Sequence, residues 1–180
     1  MVGTDVPVIM GVLNVTPDSF SDGGELAGVA GALYRAVDMV REGATILDVG
    51  GESTRPGAAP VPERREVERV VPVIEALVQR LDVVVSVDTR KSGVARAALD
   101  AGAHVVNDVS GLASDPAMAE VVAASGAGLV LMHMRGTPGD MDERTDYRDL
   151  VGEVVGELGR SLERARAGGV EAERIVVDPG

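Results

Sequence analysis

A chain of 180 residues with 45% hydrophobic content can bury one sizeable core, and a chain without cysteine has no disulfide, thiol chemistry or cysteine-based zinc site. The net charge of −12 argues against a nucleic-acid surface, which needs basic patches to neutralise phosphates. No apolar run approaches the ~20 residues that span a bilayer, and Met1-Val2-Gly3-Thr4-Asp5 carries no basic leader, so neither a membrane nor nucleic acid is expected as a partner and the cytoplasm is the expected address.

In chain order, short apolar runs alternate with amphipathic stretches. The first run, Val8 to Leu13, precedes a helical stripe of Leu33, Ala36, Val37 and Val40. Thr45-Ile46-Leu47 follows, then a longer stripe from Val67 through Val70, Val71, Ile74, Leu77 and Val78 to Leu81. Pro72 lies inside that stripe and is expected to kink the helix or shift its start. Val83 to Val87 is the third run, with Val94, Ala97 and Ala98 behind it. Val105-Val106 is the fourth, followed by Met118, Val121 and Val122, with Asp115-Pro116 read as N-cap and first helical residue. Leu129 to Met132 and a stripe from Val151 to Ala165 complete the fifth pair, and Ile175-Val176-Val177 is a sixth strand. Gly43, Gly102, Gly126 and Gly168 are placed to close four of the helices.

Runs apolar on both faces, separated by helices, mean a parallel sheet covered by helices. No break in composition divides the chain, so residues 1–180 are read as one domain. No G-x-G-x-x-G follows the first strand, which disfavours a dinucleotide-binding sheet.

Each apolar run ends in a polar residue: Asn14, Asp48, Asp88, Asn107 with Asp108, His133, and Asp178. In a barrel the C-terminal ends of the strands converge on one mouth, where active sites are built. Turn capping explains any one of these residues. It does not explain all six strand ends, because a polar group beside buried β-branched residues is costly without partners. Two loops add to the pattern. Asn14 to Gly24 holds Phe20, the only phenylalanine, among Pro, Asp, Ser and Gly, as a flat lid would require. Gly50-Gly51-Glu52-Ser53-Thr54-Arg55-Pro56-Gly57 sets hydroxyls and a guanidinium between glycines, a combination suited to phosphate oxygens. The single lysine, Lys91, stands among 17 basic residues and reads as a compositional bias.

Taken in order, these two loops resemble the signature loops of the dihydropteroate synthase family. Ser86-Val87-Asp88-Thr89, Val106-Asn107-Asp108-Val109-Ser110-Gly111, His133-Met134-Arg135-Gly136-Thr137-Pro138 and Asp178-Pro179-Gly180 match it in register. The resemblance implies an α/β fold of the TIM-type (β/α)8 barrel, present here as five βα units and a sixth strand. It implies a transferase of folate biosynthesis that joins 6-hydroxymethyl-7,8-dihydropterin diphosphate to 4-aminobenzoate, giving 7,8-dihydropteroate and diphosphate. It assigns Asp88, Asn107 and Asp178 to the pterin as the catalytic set, and Asn14 to Mg²⁺. Thr54 and Arg55 go to the diphosphate, Phe20 and Pro56 to the aminobenzoate pocket where sulfonamides act, and Asp22 to closure of the first loop. His133 either faces the diphosphate or is structural, and His104 is structural.

Family members continue beyond the Asp-Pro-Gly segment with a pterin-contacting lysine and a late arginine. This chain is therefore expected to cover about two-thirds of a barrel of ~250 residues. The isolated 180 residues are expected to be inactive, whether as a fragment or as a truncated paralogue. The full-length protein is expected to be a homodimer. Two alternatives accompany this reading: a non-catalytic pterin-binding protein, and the methyltetrahydrofolate-binding domain of a corrinoid methyltransferase.

Overall fold

The computed structural model describes residues 7–15, 24–53 and 59–180, with the backbone alone for residues 24–27. The elements alternate: β1 (Met10–Asn14), α1 (Gly24–Arg41), β2 (Ile46–Gly50), α2 (Glu63–Arg80), β3 (Val84–Asp88), α3 (Ser92–Asp100), β4 (Val105–Asp108), α4 (Met118–Ser125), β5 (Gly128–Met132), α5 (Leu150–Ala167) and β6 (Ile175–Asp178). All strand pairs are parallel, and the sheet has the sequential order β1-β2-β3-β4-β5-β6. Among the described residues no helix is long and apolar enough to cross a membrane.

The period of two along each strand sorts its side chains between two environments. Leu47, Val49, Val85, Val87, Val106, Leu129 and Leu131 are buried, as are Val70, Val73, Ile74 and Leu77 of α2, Val94 and Ala98 of α3, and Met118 and Val122 of α4. That is the core between sheet and helices. The alternate residues, among them Val12, Asp48, Ser86, Asn107 and Val130, share the other face through the strand register.

Two local expectations are revised and one is refined. Helix α2 runs through Pro72 without a break and begins at Glu63, well before it. Pro72 and Glu68 are both exposed, so the carbonyl that loses its intrahelical donor faces water, and the buried stripe offsets the remaining cost. Asp115 is not the N-cap of α4, which is Ala117. Its carboxylate instead accepts the Ala117 N–H at Oδ1, 3.0 Å, and the Ser92 N–H from the start of α3 at Oδ2, 2.8 Å. At the end of α5 the C-cap is Gly168, as expected; it is right-handed at φ −78°, and the left-handed residue is the next one, Gly169 at φ 94°.

Candidate functional site

The C-terminal strand ends lie side by side. The register runs Asn14–Gly50–Asp88–Asn107–Val130–Val176 across the sheet, with Asp48 two residues below Gly50 and Asp178 two residues above Val176 on the same face. A Cβ on Gly50 would lie 3.6 Å from both Asn14 Oδ1 and Asp88 Oδ2, so the glycine leaves a gap between those two side chains. Asn107 Nδ2 donates to Asp48 Oδ2 at 2.9 Å, which brings Asp48 into the cluster as a site residue that the motif match alone did not assign.

Three buried polar atoms of this cluster, Asp48 Oδ1, Asp88 Oδ1 and Ser86 Oγ, have no hydrogen-bond partner among the described residues. Among those residues the two carboxylate oxygens, Asp48 Oδ1 and Asp88 Oδ1, are thus buried acceptors without a donor. The Ser86 hydroxyl lies close enough to favour the Asp48 carboxylate, although its geometry falls short of a hydrogen bond. Burial pushes the Asp48 carboxyl up, with Ser86 and Asn107 opposing. Burial also pushes Asp88 well above the usual carboxylate range, reinforced by the like charges of Asp48, Glu66 and Asp108 and only partly opposed by Arg90. An unsatisfied buried acceptor costs roughly 1–3 kcal/mol, so two in one cluster mark a place where a donor belongs.

Behind this face lies a second polar cluster that sequence reasoning missed. Glu52 accepts the Val61 N–H at 2.6 Å, Lys91 Nζ at 2.8 Å and the Arg90 guanidinium. Glu66 of α2 accepts Thr89 Oγ1 at 2.6 Å and Lys91 Nζ. Arg69 Nη1 donates to the Gly51 carbonyl at 2.7 Å. Gly51 is required here: a Cβ would come within 2.9 Å of Val70 Cγ1 and 3.0 Å of Glu66 Cγ. The available signal was the lone lysine, three residues after Asp88, which reads as compositional in the sequence.

Other strand-end residues are turned away. Asp108 is fully buried and binds its own loop, accepting Ser110 N at 2.8 Å, Ser110 Oγ at 2.7 Å and Leu112 N at 3.0 Å, which holds Leu112 in the left-handed region at φ 64°. His133 is not brought to the Asp48–Asp88–Asn107 cluster. Its Nε2 pairs with Glu157 Oε2 of α5 at 2.9 Å. Arg135 holds the Glu157 carboxyl below the usual range, with His133 adding to the effect, and the Arg135 guanidinium stacks 3.9 Å from the centre of the Tyr147 ring. His104, at the opposite end of β4, accepts the Val85 N–H through Nδ1 at 3.1 Å, a structural bond. Asp178, by contrast, keeps the face of Asp88 and Asn107 and receives the Gly180 N–H at 2.9 Å. Phe20, Asp22, Thr54, Arg55 and Pro56 lie outside the described residues.

Known proteins share this fold. The chain is 49% identical over 172 residues to dihydropteroate synthase of Synechocystis sp., a match covering 96% of this chain and 60% of that one. It superposes with a TM-score of 0.88, at 45% identity, on a dihydropteroate synthase from Clostridium difficile crystallised with pteroic acid, covering 96% of this chain and 64% of that one. The same score, at 46% identity, relates it to the Xanthomonas albilineans dihydropteroate synthase with 4-aminobenzoic acid, covering 98% and 62%. The fold is thus that of the TIM-type barrel, of which this chain supplies five βα units and a sixth strand. The chain spans about three-fifths of the length of such relatives. A model of pterin-binding enzymes matches residues 10–180, and the chain belongs to that family.

Proposed function

We propose that this chain carries the pterin end of a dihydropteroate synthase active site. The reaction forms a carbon–nitrogen bond between the 4-aminobenzoate amine and the exocyclic methylene of 6-hydroxymethyl-7,8-dihydropterin diphosphate. The carbon–oxygen bond to the diphosphate breaks, and the amine loses a proton. The observation that carries this reading is the pair of partnerless buried acceptors, Asp48 Oδ1 and Asp88 Oδ1, beside the Asn107 amide on one face. A pterin presents adjacent N–H donors on its amino-pyrimidinone edge, which is the complement of that pair. The names and ligands of the relatives support the same substrates. A site of this kind works by holding two reactants in line and stabilising the charge of the leaving group.

The remaining assignments belong to the same proposal. Asp178 joins Asp88 and Asn107 at the pterin. Thr54 and Arg55 meet the diphosphate, Phe20 and Pro56 wall the aminobenzoate, and Asp22 fastens the first loop. Magnesium fits the donor set: Asn14 offers a neutral, exposed amide oxygen next to the Gly50 gap, and Mg²⁺ takes hard oxygens while drawing its anionic ligands from phosphates. Among the described residues there is no cluster of three or more His, Cys, Asp or Glu, so Asn14 would hold the ion together with diphosphate and water. Bound there, the ion would neutralise the leaving group. A homodimer and a cytoplasmic location complete the reading. His133, paired with Glu157, takes no part in it.

The test is calorimetry with 6-hydroxymethylpterin on the complete protein, followed by an assay of dihydropteroate formation with Mg²⁺ and both substrates. Micromolar pterin binding and turnover are expected. Binding without turnover would leave a non-catalytic pterin-binding protein, and no binding would remove the pterin site altogether.

A further inference from the structure

Glu52 stands at the start of the loop that leaves β2, and its carboxylate receives the Val61 N–H from the far end of that loop at 2.6 Å. One side chain thus ties the exit of β2 to the approach to α2. The remaining capacity of the same carboxylate goes to the turn after β3, through Lys91 Nζ at 2.8 Å and the Arg90 guanidinium. Arg90 and Lys91 follow Asp88 by two and three residues. Glu66 doubles the attachment from α2, holding Thr89 at 2.6 Å and Lys91. Two acids and two bases therefore balance in a cluster where Glu66 is 1% and Glu52 7% exposed.

Exposed ion pairs are worth little, but these charges are largely out of water and each oxygen of Glu52 has a cationic donor. Stability alone does not require them, since apolar replacements of buried ion pairs are often neutral or stabilising. What this arrangement adds is geometry: Glu52 and Val61 are fixed against Arg90 and Lys91, which follow the β3 end that carries Asp88.

We propose that Glu52 is a positioning residue, a clasp that ties the exit of β2 to Val61 at the approach to α2 and holds both in register with Asp88. The clasp itself is independent of the reaction. Its consequence, a fixed span between the pterin end and the diphosphate end of the substrate, rests on the function proposed above.

The experiment compares the wild type with Glu52→Gln and Glu52→Ala in the complete protein. Glutamine keeps the size and one acceptor but turns an amide group toward Arg90 or Lys91, and alanine removes every contact. Hydrogen exchange at the Val61 amide should speed up about tenfold in Glu52→Gln and more in Glu52→Ala, while amides of Leu47 and Val85 in β2 and β3 keep their protection. In the same proteins kcat for dihydropteroate formation should fall about tenfold in Glu52→Gln, with affinity for 6-hydroxymethylpterin, which lacks the diphosphate, unchanged within twofold. Unchanged exchange at Val61 would overturn the clasp. Equal acceleration at Leu47 and Val85 would reduce Glu52 to a general stabiliser and overturn the proposal as well. A loosened Val61 with an unaltered kcat would overturn the positioning role. If alanine fails to fold, glutamine decides. If the wild type makes no dihydropteroate, the proposed function fails while the exchange measurement still decides the clasp.

Discussion

Two pairs of carboxylates sit within one stretch of this fold and behave oppositely. Asp48 and Asp88 face the inner surface of the sheet, and each has a buried oxygen with no partner among the described residues. Glu52 and Glu66 lie behind the same strand ends, and their oxygens meet lysine, arginine, threonine and a backbone N–H. Burial does not separate them: Asp48 is 3% exposed and Glu66 1%. Partners do. Burial pushes Asp48 and Asp88 up. It would raise Glu52 too, but hydrogen bonds from Lys91, the Val61 N–H and Arg90 outweigh it and hold that carboxyl below the usual range. A saturated buried acid holds structure together, and an unsaturated one is left for a ligand to complete.

The comparison is most open to attack at its stable side. Glu66→Ala leaves Thr89 without its acceptor and Lys91 with one carboxylate fewer, so the denaturation midpoint should report a loss of about 3 kcal/mol. A loss under about 1 kcal/mol would mean that the cluster is structurally idle.

On the open side the expected effect falls on binding. Asp88→Asn should weaken pterin affinity about ten- to hundredfold, the worth of a charge-assisted hydrogen bond at ~1.5–3 kcal/mol. Stability should hold or rise, because the variant removes a carboxylate crowded by Asp48, Glu66 and Asp108. Calorimetry and thermal melts on the same sample check both halves. An Asp88→Asn protein that binds pterin normally and melts early would invert the assignment.

The pH dependence should differ in sign between Asp48 and Asp88 on one side and Glu52 on the other. Asp48 and Asp88 have folded-state values raised above the unfolded ~4. Their contribution to stability is therefore full below pH ~4 and lost as pH rises through the folded values. Glu52 is lowered, so its contribution is present above the unfolded ~4.3 and lost as pH falls through the folded value. Asp88→Asn should flatten the decline above pH ~4, and Glu52→Gln the decline below it, in denaturant melts taken across pH. Pterin N–H donors favour the ionised carboxylates, so binding just above pH ~4 should release protons, seen as a dependence of the calorimetric heat on buffer. Identical slopes in both variants would erase the distinction.

The smallest effect is expected at His133. It already has Glu157 as a partner, so His133→Ala should change pterin affinity less than about twofold. A tenfold loss by calorimetry would bring this histidine back to the site.

Much of the fold is legible in the sequence because its signals are local. Helical stripes and β-branched runs reflect periods of 3.6 and 2 that a short window contains, and the polar residue closing each run marks where a strand leaves the core. Asn14, Asp88 and Asn107 fall into one row by that pattern alone, and the strand register places them there. The unbroken helix through Pro72 is harder to foresee, because it depends on which way the freed carbonyl faces.

What the chain determines by itself is thus the alternation of elements, the parallel sheet and the ring of strand ends. What tertiary structure decided is which polar groups meet. Glu52 and Lys91 are separated by 39 residues and Asn107 and Asp48 by 59, distances over which no sequence period carries information. His133 follows Met132 by one residue, and that single step turns it to the helix side, where α5 offers Glu157. Partnership, and with it the difference between a structural acid and a site, exists only once strands and helices from distant segments are packed, because hydrogen bonds act over ~3 Å in space irrespective of separation along the chain.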